Sequence, residues 1–236
     1  MEIKSFAVLS QQGPFLTLNE DVVDVDFSSK LFIQSDGYGG SGIGDEVARI
    51  ATDGVMKNFG KISSDADATL PFFYSQKYLL EGNALINSLL ATHQKILKFN
   101  EGKKFGERGG ASLLALTLSN LHASVVATGN VFLYLMRDGQ LNLILKGDCH
   151  DANLHLPLSG LGLFDELYYQ ATEIEMREGD ILLSLNSALY STLNKSDIED
   201  ALKQKVDDEK KCLWHLFETS NNKMNQLNQS AMLICF

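Results

Sequence analysis

The stretch Leu31-Phe32-Ile33-Gln34-Ser35-Asp36-Gly37-Tyr38-Gly39-Gly40 decides how this chain is read. An apolar, β-prone run ends in an acid, and glycines follow at once. The pattern predicts a buried strand that holds Asp36 rigidly at its C-terminal end. Gly37 then lets the backbone carbonyl turn back toward whatever the carboxylate binds. A carboxylate beside a free carbonyl is hard-oxygen chemistry, suited to Mg²⁺ or Mn²⁺. A second acidic pair, Glu20-Asp21, lies upstream beyond a predicted turn and is placed to converge on the same point.

Working outward, strand-like runs at 3–9, 22–27 and 31–35 precede a helical pattern over 43–59, with Ile43, Val47, Ile50, Ala51 and Val55 on one face. Residues 60–71 read as a polar loop, and a longer helix is predicted over 75–99. A meander of short strands follows at 111–118, 123–128, 131–136 and 141–145. Its hairpin turn is marked by Arg137-Asp138-Gly139, since Asp-Gly supplies positive φ angles. Residues 147–165 read as irregular. Strands return at 167–174 and 181–186, helices are predicted over 196–204 and 207–218, and a last strand over 230–236. Runs of strands and runs of helices, rather than strict alternation, predict an α+β fold with largely antiparallel sheets. Two such sheets packed face to face and flanked by helices would bury this much apolar surface.

The 236 residues, 44% of them hydrophobic, suffice for one sizeable core, so a single domain is expected over 1–236. A formal charge of −10 with dispersed lysines and arginines disfavours nucleic acid and anionic membrane as partners. No apolar run approaches membrane-spanning length, and the start of the chain does not resemble a signal peptide. Cys149, Cys212 and Cys235 lack metal-site spacing and fit reduced thiols. A cytoplasmic protein is expected. Gly37-Tyr38-Gly39-Gly40-Ser41-Gly42 also spells the G-x-G-x-x-G fingerprint. That reading is rejected: Asp36 would face a pyrophosphate with like charge, and the helix leads to a loop and another helix, not to a parallel strand. The five histidines show no ligand spacing, Tyr38 reads either as a substrate-facing group or as an aromatic covering the glycine turn, and Asp207-Asp208-Glu209 reads as a solvated helix start.

Taken together, these segments resemble the PPM family, the type 2C metal-dependent protein serine/threonine phosphatases. Asn19-Glu20-Asp21 matches an Asn-Glu-Asp motif, and Ser35-Asp36-Gly37-Tyr38-Gly39-Gly40 matches Asp-Gly-x-Gly-Gly before a helix. Gly110-Ala111-Ser112 stands for Gly-Thr-Thr. Gly129-Asn130-Val131, with the Arg137-Asp138-Gly139 hairpin, stands for the Gly-Asp-Ser strand. Gly179-Asp180-Ile181-Leu182-Leu183-Ser184 leads toward the Ser-Asp-Gly position. The resemblance spans essentially the whole chain and implies a four-layer α/β/β/α sandwich. It also implies a divalent-metal site in which Asp36 bridges, Gly37 gives its carbonyl, Glu20 completes one ion and Asp21 orients a bound water. Residues 147–165 fall where the family carries a flap beside the site, which puts Cys149, His150 and Asp151 near a substrate or in an ordinary loop.

The chain departs from the pattern on the other side. Ser187 stands where a metal-binding aspartate belongs, Asn228 replaces a second, and Asn130 replaces the Gly-Asp-Ser aspartate. Leu16 falls where an arginine would grip the substrate phosphate. The resemblance therefore implies at most one Mg or Mn ion and two readings of function. One is a catalytically impaired homologue, a pseudophosphatase that binds a phosphorylated protein or a regulatory partner. The other is an active phosphatase working with a reduced metal site.

Overall fold

The computed structural model describes residues 2–64, 69–203 and 208–236, apart from the side chains of Ser41 and Phe105. In chain order the elements are β1 (Ser5–Gln11), β2 (Asp21–Asp26), β3 (Leu31–Gly39), α1 (Gly44–Ser63), α2 (Leu80–Phe99), β4 (Gly109–Ser119), β5 (His122–Thr128), β6 (Phe132–Arg137) and β7 (Gln140–Leu145). A short hairpin follows, β8 (Cys149–His150) and β9 (Asn153–Pro157), then β10 (Gln170–Glu175), β11 (Ile181–Leu185), α3 (Ser187–Thr192), α4 (Lys195–Lys203), α5 (Glu209–Asn222) and β12 (Gln229–Cys235). The strands form two five-stranded sheets, ordered β1-β12-β11-β6-β7 and β10-β5-β4-β3-β2, and every pairing between named strands is antiparallel.

Three apolar layers hold the sandwich together. Val47, Ala51, Val55 and Phe59 recur at helical spacing on α1 and pack with α2 onto Leu31 and Ile33 of β3. Phe32, Leu114, Val125, Leu133, Leu182, Met232 and Ile234 fill the space between the sheets. On the far face, Leu213, Leu216 and Phe217 of α5 cover the first sheet with α3 and α4. Helices thus flank both sheets, the α/β/β/α arrangement expected. A polar strip crosses the inter-sheet layer. Gln34, fully buried, donates to the Ser230 carbonyl at 2.8 Å and its hydroxyl at 3.0 Å, and accepts from the Ser184 hydroxyl at 2.5 Å.

The Asp138-Gly139 turn has both residues at positive φ, 51° and 75°, as a two-residue hairpin of matching twist requires. Arg137, just before it, is clamped by Asp180, which is 1% exposed: Nε donates at 2.9 Å and Nη2 at 2.5 Å, while the Arg177 N–H donates at 2.7 Å. Asp180→Ala is expected to cost about 2 kcal/mol, the scale of hydrogen bonds to a buried charge. Urea unfolding measures it, and a loss near zero would contradict this role for the clamp.

The second long helix begins at Leu80 rather than 75. Side-chain amides capture the preceding segment: Asn83 Oδ1 accepts from the Ser75 N–H at 2.8 Å and Asn87 Oδ1 from the Phe72 N–H at 2.9 Å, which holds the chain out of the helix. The region predicted irregular, 147–165, contains the β8–β9 hairpin. The predicted loop from 60 onward starts later, since α1 continues to Ser63. Residues 65–68 of that loop, and positions 204 and 207 at the ends of the two predicted late helices, lie outside the described residues. No helix among the described residues is long and apolar enough to cross a membrane.

Candidate functional site

Side chains two apart on a strand share a face, and the rows facing the inter-sheet layer all turn polar toward one end. On β3 the row reads Phe32, Gln34, Asp36; on β2 it reads Val25, Val23, Asp21. On the opposite sheet, β12 reads Ile234, Met232, Ser230 and reaches Asn228, while β11 reads Leu182, Ser184 and reaches Asn186. At this end the two sheets bound a cleft of about 220 Å³. Glu20, Asp36 and Tyr38 line one side; Leu16, Asn130, Ser187 and Asn228 line the rest, with His155, Ala188 and Leu227. Of the positions that the resemblance assigns to the metal and phosphate site, all line this cleft except Asp21 and Gly37, which lie beside Asp36.

The acidic side is crowded with like charge. Asp21 and Asp36 are directly opposed in the β2–β3 register. Burial pushes the Asp36 carboxyl up to about 6, with Glu20 adding to the rise. Asp21 is pushed well above the usual carboxylate range, first by burial and then by Asp36, with the Ser230 hydroxyl offsetting part of the rise. Two carboxyls in contact in a buried place favour one shared proton over two negative charges. Asp21 is 5% exposed; its Oδ2 accepts from Asn186 Nδ2 at 2.8 Å, while Oδ1 has no hydrogen-bond partner among the described residues. Glu20 is raised more modestly by burial, and the Gly44 N–H at the start of α1 draws it back.

Gly37 works here differently from the expectation. Strand β3 runs on through Gly39, so Gly37 is extended backbone within the sheet, and its N–H donates to the Glu20 carbonyl at 3.0 Å. Its requirement is space. A Cβ there would stand 2.0 Å from the Gly44 carbonyl oxygen, and one on Gly44 would stand 2.4 Å from Glu20 Oε1. Glu20, Gly37 and Gly44 form one close-packed joint between β2, β3 and the N-terminus of α1.

The facing wall is neutral, and its polar groups are committed to the protein. Asn130 Oδ1 accepts from the Ser112 hydroxyl at 2.6 Å, and its Nδ2 donates to the Leu154 carbonyl at 3.1 Å, tying the β8–β9 hairpin to the sheet. Asn228 Oδ1 accepts from the Gly13 N–H at 3.0 Å. The Leu16 N–H in turn donates to the Gly13 carbonyl at 3.2 Å, so Asn228 anchors the turn that brings Leu16 to the cleft. Ser187, the first residue of α3, meets His155 Nδ1 at 3.2 Å.

His155 and Asn186 escaped the sequence reading. His155 reaches the cleft from β9, and burial lowers its basicity; no spacing marked it. Asn186 caps α3, accepting from the Leu189 N–H at 3.2 Å, and also holds Asp21 and the Asn228 carbonyl. An asparagine followed by Ser-Ala-Leu is a helix-start signal that could have shown α3. Cys149, His150 and Asp151 are not among the cleft residues. Tyr38, read either as substrate-facing or as covering the glycine turn, lines the cleft and packs its hydroxyl onto Gly160.

A two-ion centre does not fit these donors. Hard dications gain most from anionic oxygens, and the facing wall offers Ser187, Asn130 and Asn228. Among the described residues no three His, Cys, Asp or Glu side chains are arranged to hold an ion. The acidic side retains the Glu20 and Asp36 carboxylates, with Asp21 buried behind them.

No protein-family model matches the chain, and no curated protein matches it in sequence. Solved structures do match along the full length. The PPM Ser-Thr phosphatase MsPP from Mycobacterium smegmatis, in complex with cacodylate, superposes with a TM-score of 0.79 at 19% identity, covering 100% of both chains. PppA from Pseudomonas aeruginosa gives 0.80 at 19% identity over 99% of this chain and 98% of its own. The catalytic domain of the serine threonine protein phosphatase PstP, in complex with 2 manganese ions, gives 0.78 at 21% identity over 98% of each chain. With two antiparallel sheets between helical layers and this agreement end to end, the chain has the fold of the PPM serine/threonine phosphatases.

Proposed function

We propose that this protein is a PPM-fold homologue impaired in phosphoester hydrolysis, a pseudophosphatase that acts by binding a phosphorylated or regulatory protein partner. The neutral wall carries this reading: Leu16, Asn130, Ser187 and Asn228 share one cleft with Glu20 and Asp36. In-line displacement at phosphorus needs an activated water and neutralisation of the charge on the transferred group. Among the described residues no arginine or lysine lines the cleft. Glu20, Asp36 and the Gly37 carbonyl are the groups to hold one Mg²⁺ or Mn²⁺ at most, with Asp21 behind them. An ion held there would supply water activation; Asp36 would anchor it and Asn186 would fix the orientation of Asp21. The PstP structure carries two manganese ions, whereas among the described residues the wall facing Glu20 and Asp36 offers no carboxylate for a second.

The test is phosphate release from a phosphothreonine peptide with Mn²⁺, by the wild type, Asp36→Asn and the Ser187→Asp/Asn228→Asp double variant. The wild type is expected to show no metal-dependent release, and the double variant to exceed it about tenfold or more as anionic ligands return. The carboxylate introduced by Asn228→Asp would keep an oxygen for the Gly13 N–H. Wild-type turnover that Asp36→Asn abolishes would overturn the proposal in favour of an active phosphatase with a reduced site. The unpartnered Asp21 Oδ1 among three raised acids supports that second reading, since a cation would relieve all three.

A further inference from the structure

We infer that the cleft receives an arginine or lysine side chain from a protein partner, its cation lodging against Glu20 and Asp36 while apolar residues beside it rest on a hydrophobic rim. The inference rests on the impaired-hydrolysis reading and names the chemistry of the partner. Charge complementarity selects that chemistry. Two carboxylate side chains line the cleft, no lysine or arginine among the described residues lines it, and Asp21 lies opposite Asp36 on the neighbouring strand. A phosphate dianion would meet like charge there, whereas a guanidinium or ammonium group offers N–H donors to the Glu20 and Asp36 carboxylates that line the cleft. The formal charge of −10 also steers a basic partner toward this chain.

The rim supplies the second half of the site. Phe15 is 78% exposed and Leu18 47%, and Leu16 and Leu227 line the cleft itself. These side chains stand on backbone that is already tied down. Gly13 bonds to Asn228 and to Leu16, the Gln12 side chain donates to the Leu16 carbonyl, and Asn225 Nδ2 donates to the Leu227 carbonyl at 2.8 Å. Leu18 packs over Gly42, whose Cβ position is 3.9 Å from Leu18 Cδ1. An apolar edge held rigid around an acidic slot loses little entropy when a chain lands on it. It fits a basic residue set between apolar ones.

The test is NMR titration of the ¹⁵N-labelled full chain, with EDTA present and near neutral pH. The probes are a short peptide carrying one arginine between two leucines, its citrulline counterpart and a phosphoserine counterpart. The arginine peptide is expected to shift the amides of Glu20, Gly37 and Ala188. Citrulline, isosteric and neutral, should bind about tenfold more weakly or worse, as should the arginine peptide to Asp36→Asn. Leu16→Lys, on the exposed rim and safe for folding, should weaken it similarly by supplying an internal cation. Equal binding of arginine and citrulline peptides, preference for the phosphoserine peptide, or no cleft shifts at millimolar peptide would overturn the inference. Phosphate release is read separately. No turnover together with no arginine binding removes this inference alone, whereas metal-dependent turnover removes the functional reading beneath it.

Discussion

Gly37→Ala is expected to destabilise the protein by about 3 kcal/mol or more, the upper range for forced overpacking. The added methyl would lie 2.0 Å from the Gly44 carbonyl oxygen, 2.6 Å from its carbon and 3.0 Å from the Ala48 Cβ. The two closest are backbone atoms of α1, so no rotamer change relieves the contact. The helix cannot slide away cheaply either, because Val47, Ala51 and Val55 seat it on β3. Urea unfolding compares this variant with Gly60→Ala, also on α1, where nothing lies within 4 Å of the new methyl. That control should gain up to about 1 kcal/mol, from helix propensity and a less flexible unfolded chain. A Gly37→Ala loss below about 1 kcal/mol would show that the joint yields, and would remove the steric reason for a glycine after Asp36.

Asp36→Asn should instead stabilise the metal-free protein at alkaline pH. A carboxyl raised from 3.8 to about 6 on folding is favoured in its protonated form. Its stabilising contribution is fully present below the unfolded value and is lost as pH rises through about 6; Asp21, raised by burial and by Asp36, contributes in the same direction. Asparagine keeps a donor toward Asp21 and carries no charge, so the variant should escape this loss. At about pH 8 the gain should reach roughly 2–3 kcal/mol, or about 5 °C or more in Tm for a chain of this size. Below about pH 4 the two proteins should differ little, and at pH 5 about half of the gain should already be present. Thermal melts in EDTA across this range provide the measurement, and a difference that does not grow with pH would refute the shared-proton description of the pair. Charge kept at such a cost is the mark of a site serving a ligand rather than the fold.

Much of this was legible in the chain. The Leu31–Ile33 run, the Asp138-Gly139 turn and the helical spacing of Val47, Ala51 and Val55 report local rules of period and turn geometry, and they placed the layers correctly. The convergence of Glu20 and Asp36 with Leu16, Asn130, Ser187 and Asn228 followed from motif order, because all of them ride on strand ends or adjoining loops. What stayed hidden depends on tertiary approach. Gly37 needed space rather than conformational freedom, and only the position of α1 shows that. His155 enters the cleft because Asn130 holds Leu154, a bond between residues 24 apart that no periodicity announces. The early start predicted for α2 failed because two buried asparagines outcompete helix propensity for the preceding backbone.

The bridge formed by Gln34 with Ser184 and Ser230 sits one step inward from Asp36 on the same strand row. It works as a spacer bar between the two walls. Drawing them together or apart around a guest would strain or break these buried bonds, each left without water to replace it. The mouth is therefore a slot of fixed gauge, which would select a guest by calibre and charge rather than by closing upon it. Variation in what it would accept must come from the outer segments carrying Leu16, His155 and Leu227, whose side chains can change without resetting the gap.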